Sequence, residues 1–163
     1  MAGMLVAAST GVQLRSSDFS AGGRLSGPFM ATECGGQNHS PALAWSGAPK
    51  NVKSFALIVH DPDAPIERGF YHWVVYNLPS STQRLAGGVN LSANQLGVTS
   101  AGTSGYHGPC PPPGPAHHYN FTLYALDVAQ LTHGASLTGP QVERQIAGHV
   151  LSRATLQGIA SRP

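Results

Sequence analysis

The sequence predicts a mainly β protein, in which short strands are joined by many turns and a few helices lie at the periphery. Charged residues make up only 10% of the 163 residues, whereas an average soluble protein has about 25%. The chain also contains 20 glycines and 13 prolines, which interrupt helices and favour turns between strands. The length suits a single domain over residues 1–163, which is large enough to bury a core without a metal or a disulfide.

Five segments have the composition of strands. Residues 54–60 form a nearly continuous apolar run, which predicts a strand buried on both faces. Residues 72–78 are β-branched and aromatic, and residues 119–127 alternate with a period of two, so both are predicted strands. Shorter strands are predicted at residues 42–45 and, at the edge of a sheet, at residues 12–15.

One helix is predicted near the carboxyl end of the sequence, over residues 139–150. Thr138 and Gln141 have the spacing of a capping box, and Pro140 suits the first turn of a helix. Apolar side chains then recur every four residues, at Val142, Ile146 and Val150. This spacing predicts an amphipathic helix.

Charge and hydropathy exclude two classes of partner. The net charge is +2 and the nine lysines and arginines form no basic run, so nucleic acid is not an expected partner. No apolar run is long enough to span a bilayer, so stable membrane insertion is not expected. The apolar patch at residues 4–8 has no basic residue before it. We therefore expect a cytoplasmic protein or, alternatively, a periplasmic or secreted one from which a signal peptide has been removed.

No metal site and no cofactor are expected. The sequence contains neither an H-E-x-x-H nor a C-x-x-C motif, and its glycines lack the Walker pattern. The two cysteines, Cys34 and Cys110, lie far apart in the sequence. We interpret them as free, partly buried thiols; the alternative, a disulfide between the loops that carry them, would indicate an oxidising compartment.

Polar residues that suit ligand binding lie where the predicted strands end. Asp61 follows the buried strand in an Asp-Pro-Asp-Ala-Pro turn, His72 begins the next strand, and His117 precedes the strand that contains Tyr119. Taken alone, an aspartate here suits a simple turn, and a lone histidine usually has a structural role. If the strand ends converge, these side chains and backbone N–H groups near Gly108 form a small cup. Imidazoles beside a carboxylate tend to be protonated, so the cup would accept an anion.

Five short motifs follow one another in a specific order. They are Ser-Pro-Ala-Leu-Ala-Trp at 40–45, Asp-Pro-Asp-Ala-Pro at 61–65, His-Trp-Val-Val-Tyr-Asn at 72–77, Gly-Tyr-His-Gly-Pro-Cys-Pro-Pro at 105–112, and His-His-Tyr at 117–119. Through them the chain resembles the phosphatidylethanolamine-binding protein family over nearly its whole length, and specifically the prokaryotic Raf kinase inhibitor-like branch. The resemblance implies a large central antiparallel sheet packed on a smaller sheet.

The resemblance also implies a pocket at one end of the sheet, which in this family holds phosphate, acetate, cacodylate or a phospholipid headgroup. The family usually has an arginine where this chain has a histidine at position 118, so His118 is expected to pair with an acidic loop residue only at lower pH. Carried over to this sequence, the implied ligand-binding residues are Asp61, His72, Trp73, Gly108, Pro109, His117 and Tyr119, supported by Asp63, Pro65 and His118.

The expected function is a module that binds a small anion or a phosphate headgroup and regulates a kinase or a protease by docking. No catalytic residue is expected, because the sequence has no G-x-S-x-G elbow and no evident activated nucleophile. One alternative is an enzyme that uses Asp61, His72 and His117 for acid–base chemistry in a hydrolysis or an isomerisation. Another is a serine protease inhibitor that acts through the long irregular loop predicted at 83–105 or the rigid, proline-rich residues 109–115. A homodimer is the expected assembly on general grounds.

Overall fold

The structure is a computed structural model that describes residues 11–131 and 136–163. The apolar patch at residues 4–8, on which the expectation about a signal peptide rests, lies outside the described residues. Within the described residues, no helix has both the length and the apolar character needed to cross a membrane.

The described residues form two antiparallel sheets. The smaller sheet consists, in spatial order, of β1 (Gln13–Arg15), β2 (Leu43–Ser46) and β5 (Arg84–Leu85). The larger sheet consists, in spatial order, of β4 (Phe70–Pro79), β3 (Ser54–Asp61), β6 (His117–Leu126) and β7 (Val150–Ala160). An α-helix, α1 (Gly139–Ile146), and short 3₁₀ turns complete the fold. The predicted mainly β fold, with a larger sheet and a smaller one, is confirmed.

Apolar side chains cover both faces of the larger sheet. On β3, Leu57 and Val59 face the smaller sheet and share a cluster with Trp45. Ile58 points to the opposite face, where it belongs to the cluster that contains Val142 of α1. Each such side chain stabilises the fold by about 1.5–3 kcal/mol when it is fully buried. Burial on both faces is the reason that β3 is a continuous apolar run.

The predicted helix is correct at its start and wrong at its end. Thr138 caps α1 and forms the predicted capping box with Gln141. The helix ends at Ile146, because Ala147 has a non-helical ψ of 126° and Gly148 then adopts a left-handed φ of 82°. Val150, which was predicted as the last buried position of the helix, instead begins β7 and is 37% exposed.

β7 is absent from the predicted strands although it is the longest strand described. It pairs with β6 along its whole length, from Ala160 opposite His117 to Val150 opposite Leu126. Most of its side chains are partly or fully exposed, so its sequence shows little apolar periodicity. The predicted irregular loop at 83–105 likewise contains β5 and a 3₁₀ turn.

The two cysteines form a disulfide, which corrects the expectation of free thiols. Cys34 and Cys110 are 76 residues apart in the sequence, yet their Cα atoms are only 5.6 Å apart. The segments that carry them lie side by side, because the Ala31 N–H donates to the Pro109 carbonyl at 3.0 Å. The two cysteines are brought together by a tertiary contact between irregular segments, and their spacing in the sequence does not reveal that contact.

Candidate ligand-binding site

A cavity of about 280 Å³ lies at one end of the larger sheet. β3 ends there with Asp61, and β6 begins there with His117, because neighbouring strands run antiparallel. His72 near the start of β4 and Tyr119 on β6 line the same cavity. The structure therefore brings together the four side chains whose convergence the sequence analysis proposed.

A β-bulge turns His72 toward the cavity. The register of β3 and β4 pairs Val59 with Trp73 and His60 with Tyr71, so His72 is an extra residue on β4. Regular alternation would place His72 and Trp73 on opposite faces of the sheet. Here Tyr71 packs on the α1 side, whereas Trp73 and the cavity-lining His72 lie on the other side. Bulges of this kind commonly re-aim a side chain at a functional site.

Asp61 and His117 form a buried pair, with exposures of 3% and 9%. The Nδ1–H of His117 donates to Oδ2 of Asp61 at 2.7 Å. The other carboxylate oxygen, Oδ1, accepts a hydrogen bond of 2.8 Å from the N–H of Asp63. Asp61 thus stabilises the turn that ends β3 and also orients an imidazole. Because Nδ1 is engaged, Nε2 is the ring nitrogen of His117 that is left for a ligand.

His72 is held as a neutral imidazole. Its Nδ1–H donates to the carbonyl of His107 at 2.7 Å, so the lone pair lies on Nε2. Burial lowers the pKa of His72 to about 4, although the hydrogen bond to His107 and the charge of Asp61 act in the opposite direction. The expectation of a protonated imidazole therefore does not hold for His72 at neutral pH. This residue offers a ligand an acceptor.

The low pKa of His72 predicts a loss of stability in mild acid. The unfolded chain binds this proton near pH 6.5, whereas the folded protein resists it until about pH 4. The free energy of unfolding should therefore fall as the pH decreases from 6.5 to 4, by up to about 3 kcal/mol from this group, and then level off. The amide of the variant His72→Asn can still donate to the His107 carbonyl. We expect this variant to reduce the slope of the free energy of unfolding against pH, measured by urea unfolding between pH 4 and 7.5. A slope equal to that of the wild type would exclude His72 as its source.

Residues 105–112 form another wall of the cavity, and Asn38 positions them. Asn38 adopts a left-handed φ of 52°; its amide donates to the Tyr106 carbonyl at 2.8 Å, and its Oδ1 accepts from the Gly108 N–H at 2.6 Å. The Gly108 N–H is therefore already engaged rather than free for a ligand. Glycine is needed at this position because a Cβ would lie 2.6 Å from the nitrogen of Ala31.

Cys110 provides the backbone donor that was expected near Gly108. Its neighbours in the sequence are prolines, which have no N–H. Within the part of the chain that the structure describes, the Cys110 N–H donates to no protein acceptor. Cys110 lines the cavity, and its unpartnered N–H is a candidate donor for a ligand.

Four predicted residues do not line the cavity. Trp73 is only 1% exposed and packs edge-on against Tyr106, with ring centroids 5.5 Å apart. Pro109 contributes its carbonyl to the contact between the two cysteine-bearing segments. Asp63 and His118 pair with each other outside the cavity.

His118, which stands where the family usually has an arginine, makes two contacts with Asp63. The Oδ2 atom of Asp63 accepts from the N–H of His118 at 2.8 Å and from its Nδ1–H at 2.6 Å. The side-chain hydrogen bond is the largest of the effects that lower the pKa of Asp63. A neutral imidazole with its proton on Nδ1 makes the same contact. The contact is therefore compatible with either protonation state of the imidazole, and the expected pH dependence of this pair stays a prediction.

Several lining residues were not named from the sequence. Glu33 and His107 form a polar part of the lining, with Oε1 and Nε2 3.2 Å apart. Most of the remaining lining residues lie within or next to the 61–65 and 105–112 motifs. Glu33 is far from both motifs in the sequence, and nothing in the sequence connects it to the cavity. Apart from Pro65, which was predicted as a supporting residue, the apolar lining residues are Ala64, Ile66, Phe70, Cys110, Pro111 and Pro112.

The cavity offers hydrogen bonds rather than permanent positive charge. No lysine or arginine is among its lining residues. Burial raises the pKa of Tyr119, so its hydroxyl keeps its proton; within the described residues this hydroxyl has no protein partner. The described residues contain no group of His, Cys, Asp and Glu side chains that could hold a metal ion.

The described residues form two antiparallel sheets, with a pocket built around a buried Asp–His pair at one end of the larger sheet. The sequence matches the family described as phosphatidylethanolamine-binding protein over residues 15–161, which is nearly the whole chain. The protein belongs to the phosphatidylethanolamine-binding protein family.

Relatives from several organisms are similar to this chain in sequence. A UPF0098 protein of Methanothermobacter thermautotrophicus is 41% identical over 158 residues, which cover 93% of this chain and 99% of the relative. The UPF0098 protein YbhB of Escherichia coli is 39% identical over 132 residues, which cover 77% of this chain and 84% of the relative.

Two solved structures have the same architecture. Escherichia coli YbcL, described as a new member of the mammalian PEBP family, superposes with a TM-score of 0.87 at 31% identity, over 93% of this chain and 99% of YbcL. A phosphatidylethanolamine-binding protein homologue of Chlamydia trachomatis superposes with a TM-score of 0.85 at 38% identity, over 95% of this chain and all (100%) of the homologue.

Proposed function

We propose that the protein binds a small anion with a phosphate group in this cavity. The observation that carries the proposal is the buried Asp61–His117 pair, which leaves His117 Nε2 on a cavity that the Tyr119 hydroxyl and the Cys110 N–H also line. The volume of about 280 Å³ is at the lower end of the ~300–1,000 Å³ typical of small-molecule sites. It therefore suits a headgroup or a free anion better than a whole phospholipid.

The hydrogen-bonding pattern favours a phosphate that carries a proton. Tyr119 and Cys110 donate to phosphate oxygens, whereas the neutral His72 accepts through Nε2 and so matches a P–OH group. A phosphate monoester gains this proton below its second pKa, at about pH 6. The need for this proton predicts that affinity rises as the pH falls.

Isothermal titration calorimetry with phosphate and with O-phosphorylethanolamine, from pH 5.5 to 8, tests this function. We expect affinity to increase toward pH 5.5, by up to about tenfold per pH unit for each linked proton. His117→Asn, whose amide can still donate to Asp61 but which has no counterpart of Nε2, and Tyr119→Phe should weaken binding, whereas the control His118→Ala, which changes a pair outside the cavity, should bind as the wild type does. No heat for either ligand at any pH would refute the proposal.

An enzyme is the second candidate, because a carboxylate bonded to Nδ1 of a histidine is the arrangement that orients a general base. The Asp61–His117 pair has this geometry. Against catalysis, no serine or threonine is among the described residues that line the cavity, and the sulfur of Cys110 is in a disulfide. Turnover of a phosphate monoester that His117→Gln abolishes would favour this candidate over simple binding.

Regulation of a kinase or a protease by docking is a further part of the proposal and rests on the family resemblance alone. A protease-inhibiting loop would be extended and exposed. Residues 83–105 are instead tied to β4, because the Gly97 N–H donates to the Val74 carbonyl at 2.8 Å and the Ser100 N–H donates to the Tyr71 carbonyl at 2.9 Å. These contacts argue against an inhibitory role for that segment.

A further inference from the structure

We propose that the Cys34–Cys110 disulfide is a redox modification site that controls the affinity of the cavity for its anion. Reduction by a dithiol would loosen one wall of the cavity and weaken binding. The inference rests on the proposed function, because it concerns the same cavity.

The disulfide joins two parts of the cavity wall. Cys110 itself lines the cavity. Its partner, Cys34, is the last residue of the 3₁₀ turn Thr32–Cys34, and Glu33 of that turn lines the cavity as well. The covalent bond therefore fixes the distance between the proline-rich wall and the turn that carries Glu33.

Hydrogen bonds hold the backbone on either side of Cys110, and the disulfide holds its side chain. The Pro109 carbonyl accepts a hydrogen bond from the Ala31 N–H at 3.0 Å, and the Pro111 carbonyl accepts one from Nε of Arg162 at 2.6 Å. Between these points, neither the N–H nor the carbonyl of Cys110 has a hydrogen bond to another described residue. The N–H of Cys110 shares a planar peptide group with the Pro109 carbonyl, whereas its side chain is held by the disulfide, which adds a covalent link to the turn that carries Glu33. Reduction would remove that link and let this part of the wall move away from the turn.

A dithiol can reach this bond, because both cysteines are partly exposed. A thiolate of the reductant attacks one sulfur of the disulfide, the S–S bond breaks, and a mixed disulfide forms. The second thiol of the reductant then displaces the protein sulfur. Two electrons and two protons pass to the protein, which gains two thiols, while the reductant becomes a cyclic disulfide.

The effect of the disulfide on phosphate binding implies an equal effect of phosphate on the disulfide. If reduction lowers the affinity for phosphate, then bound phosphate must stabilise the disulfide against reduction by the same factor. A disulfide that served only to stabilise the fold at a distance from the ligand would show neither effect.

The test is calorimetry with inorganic phosphate at pH 6 on three samples: oxidised protein, protein reduced with dithiothreitol, and the variant Cys34→Ser/Cys110→Ser. We expect reduction to weaken phosphate binding about tenfold or more, and the variant to match the reduced protein and not respond to dithiothreitol. A tenfold effect corresponds to a shift of about 30 mV in the reduction midpoint, so saturating phosphate should lower that midpoint relative to chloride at equal ionic strength.

Equal affinity of the oxidised and reduced proteins would overturn the redox inference and leave the proposed function intact. Absence of binding by both forms would instead overturn the proposed function and this inference together. If the reduced protein or the variant fails to fold, the rate at which dithiothreitol reduces the native oxidised protein decides the question. We expect phosphate to slow this reaction, and equal rates in phosphate and chloride would overturn the inference.

Discussion

The variant Cys34→Ser/Cys110→Ser is expected to lose about 4 kcal/mol of the free energy of unfolding. A disulfide stabilises chiefly by restricting the unfolded chain, and the loop closed here spans 76 residues in sequence. For a loop of that length the chain-entropy relation gives about 4.5 kcal/mol, within the usual range. The loss is a large fraction of the 5–15 kcal/mol that is typical of a whole domain.

Urea unfolding of the oxidised wild type and of the variant measures this loss. The wild type unfolded in the presence of a reductant is the matched control and should have the same stability as the variant. A difference below about 1 kcal/mol between the variant and the oxidised protein would show that the disulfide is absent or that it strains the native state.

His117→Ala is expected to destabilise the protein by about 3–5 kcal/mol at pH 7 to 8. Asp61 is only 3% exposed, and removal of its partner leaves a buried carboxylate without the hydrogen bond to Oδ2. Replacement of the carboxylate as well, in Asp61→Asn/His117→Ala, should cost less than the sum of the two single changes. This coupling follows because the double variant has no unpaired buried charge.

The neighbouring aspartate–histidine pair provides a matched control. Asp63 and His118 have the same chemistry and a similar distance, 2.6 Å, but their side chains are 41% and 47% exposed. Water already solvates such a pair, so His118→Ala should cost at most about 1 kcal/mol. Thermal or urea unfolding of the two single variants side by side measures the contrast. Equal losses of stability in the two variants would mean that burial does not determine how much the Asp61–His117 pair stabilises the protein.

The sequence predicts those parts of the fold that carry a strong local pattern. The apolar run of β3 and the alternation of β6 place their side chains on fixed faces, and the capping box at Thr138 marks the start of α1. β7 has no such pattern, because only three of its eleven residues are buried and it is held by its backbone ladder with β6. Hydrogen bonds of the backbone are nearly independent of sequence, so periodicity cannot reveal this strand.

The site could be predicted in its residue types but not in its chemistry. Asp61, His72, His117 and Tyr119 lie at strand ends that antiparallel pairing brings together, and the bulge in β4 aims His72 at the cavity. The neutral state of His72, by contrast, depends on a bulge in β4 and on burial. The engagement of Gly108 by Asn38 is likewise a tertiary contact between distant segments. Sequence motifs identify such residues without showing which of their atoms are free.

The most direct test of the central claim is to observe the histidine rings by nuclear magnetic resonance while phosphate is added at pH 6. We predict that the ring signals of His72 and His117 shift in a saturable manner, with the affinity that calorimetry gives. His149, which pairs with Asp127 and does not line the cavity, should not respond. Phosphate-dependent shifts confined to His149, or unchanged signals of His72 and His117 at saturating phosphate, would contradict the assignment of this cavity as the anion site.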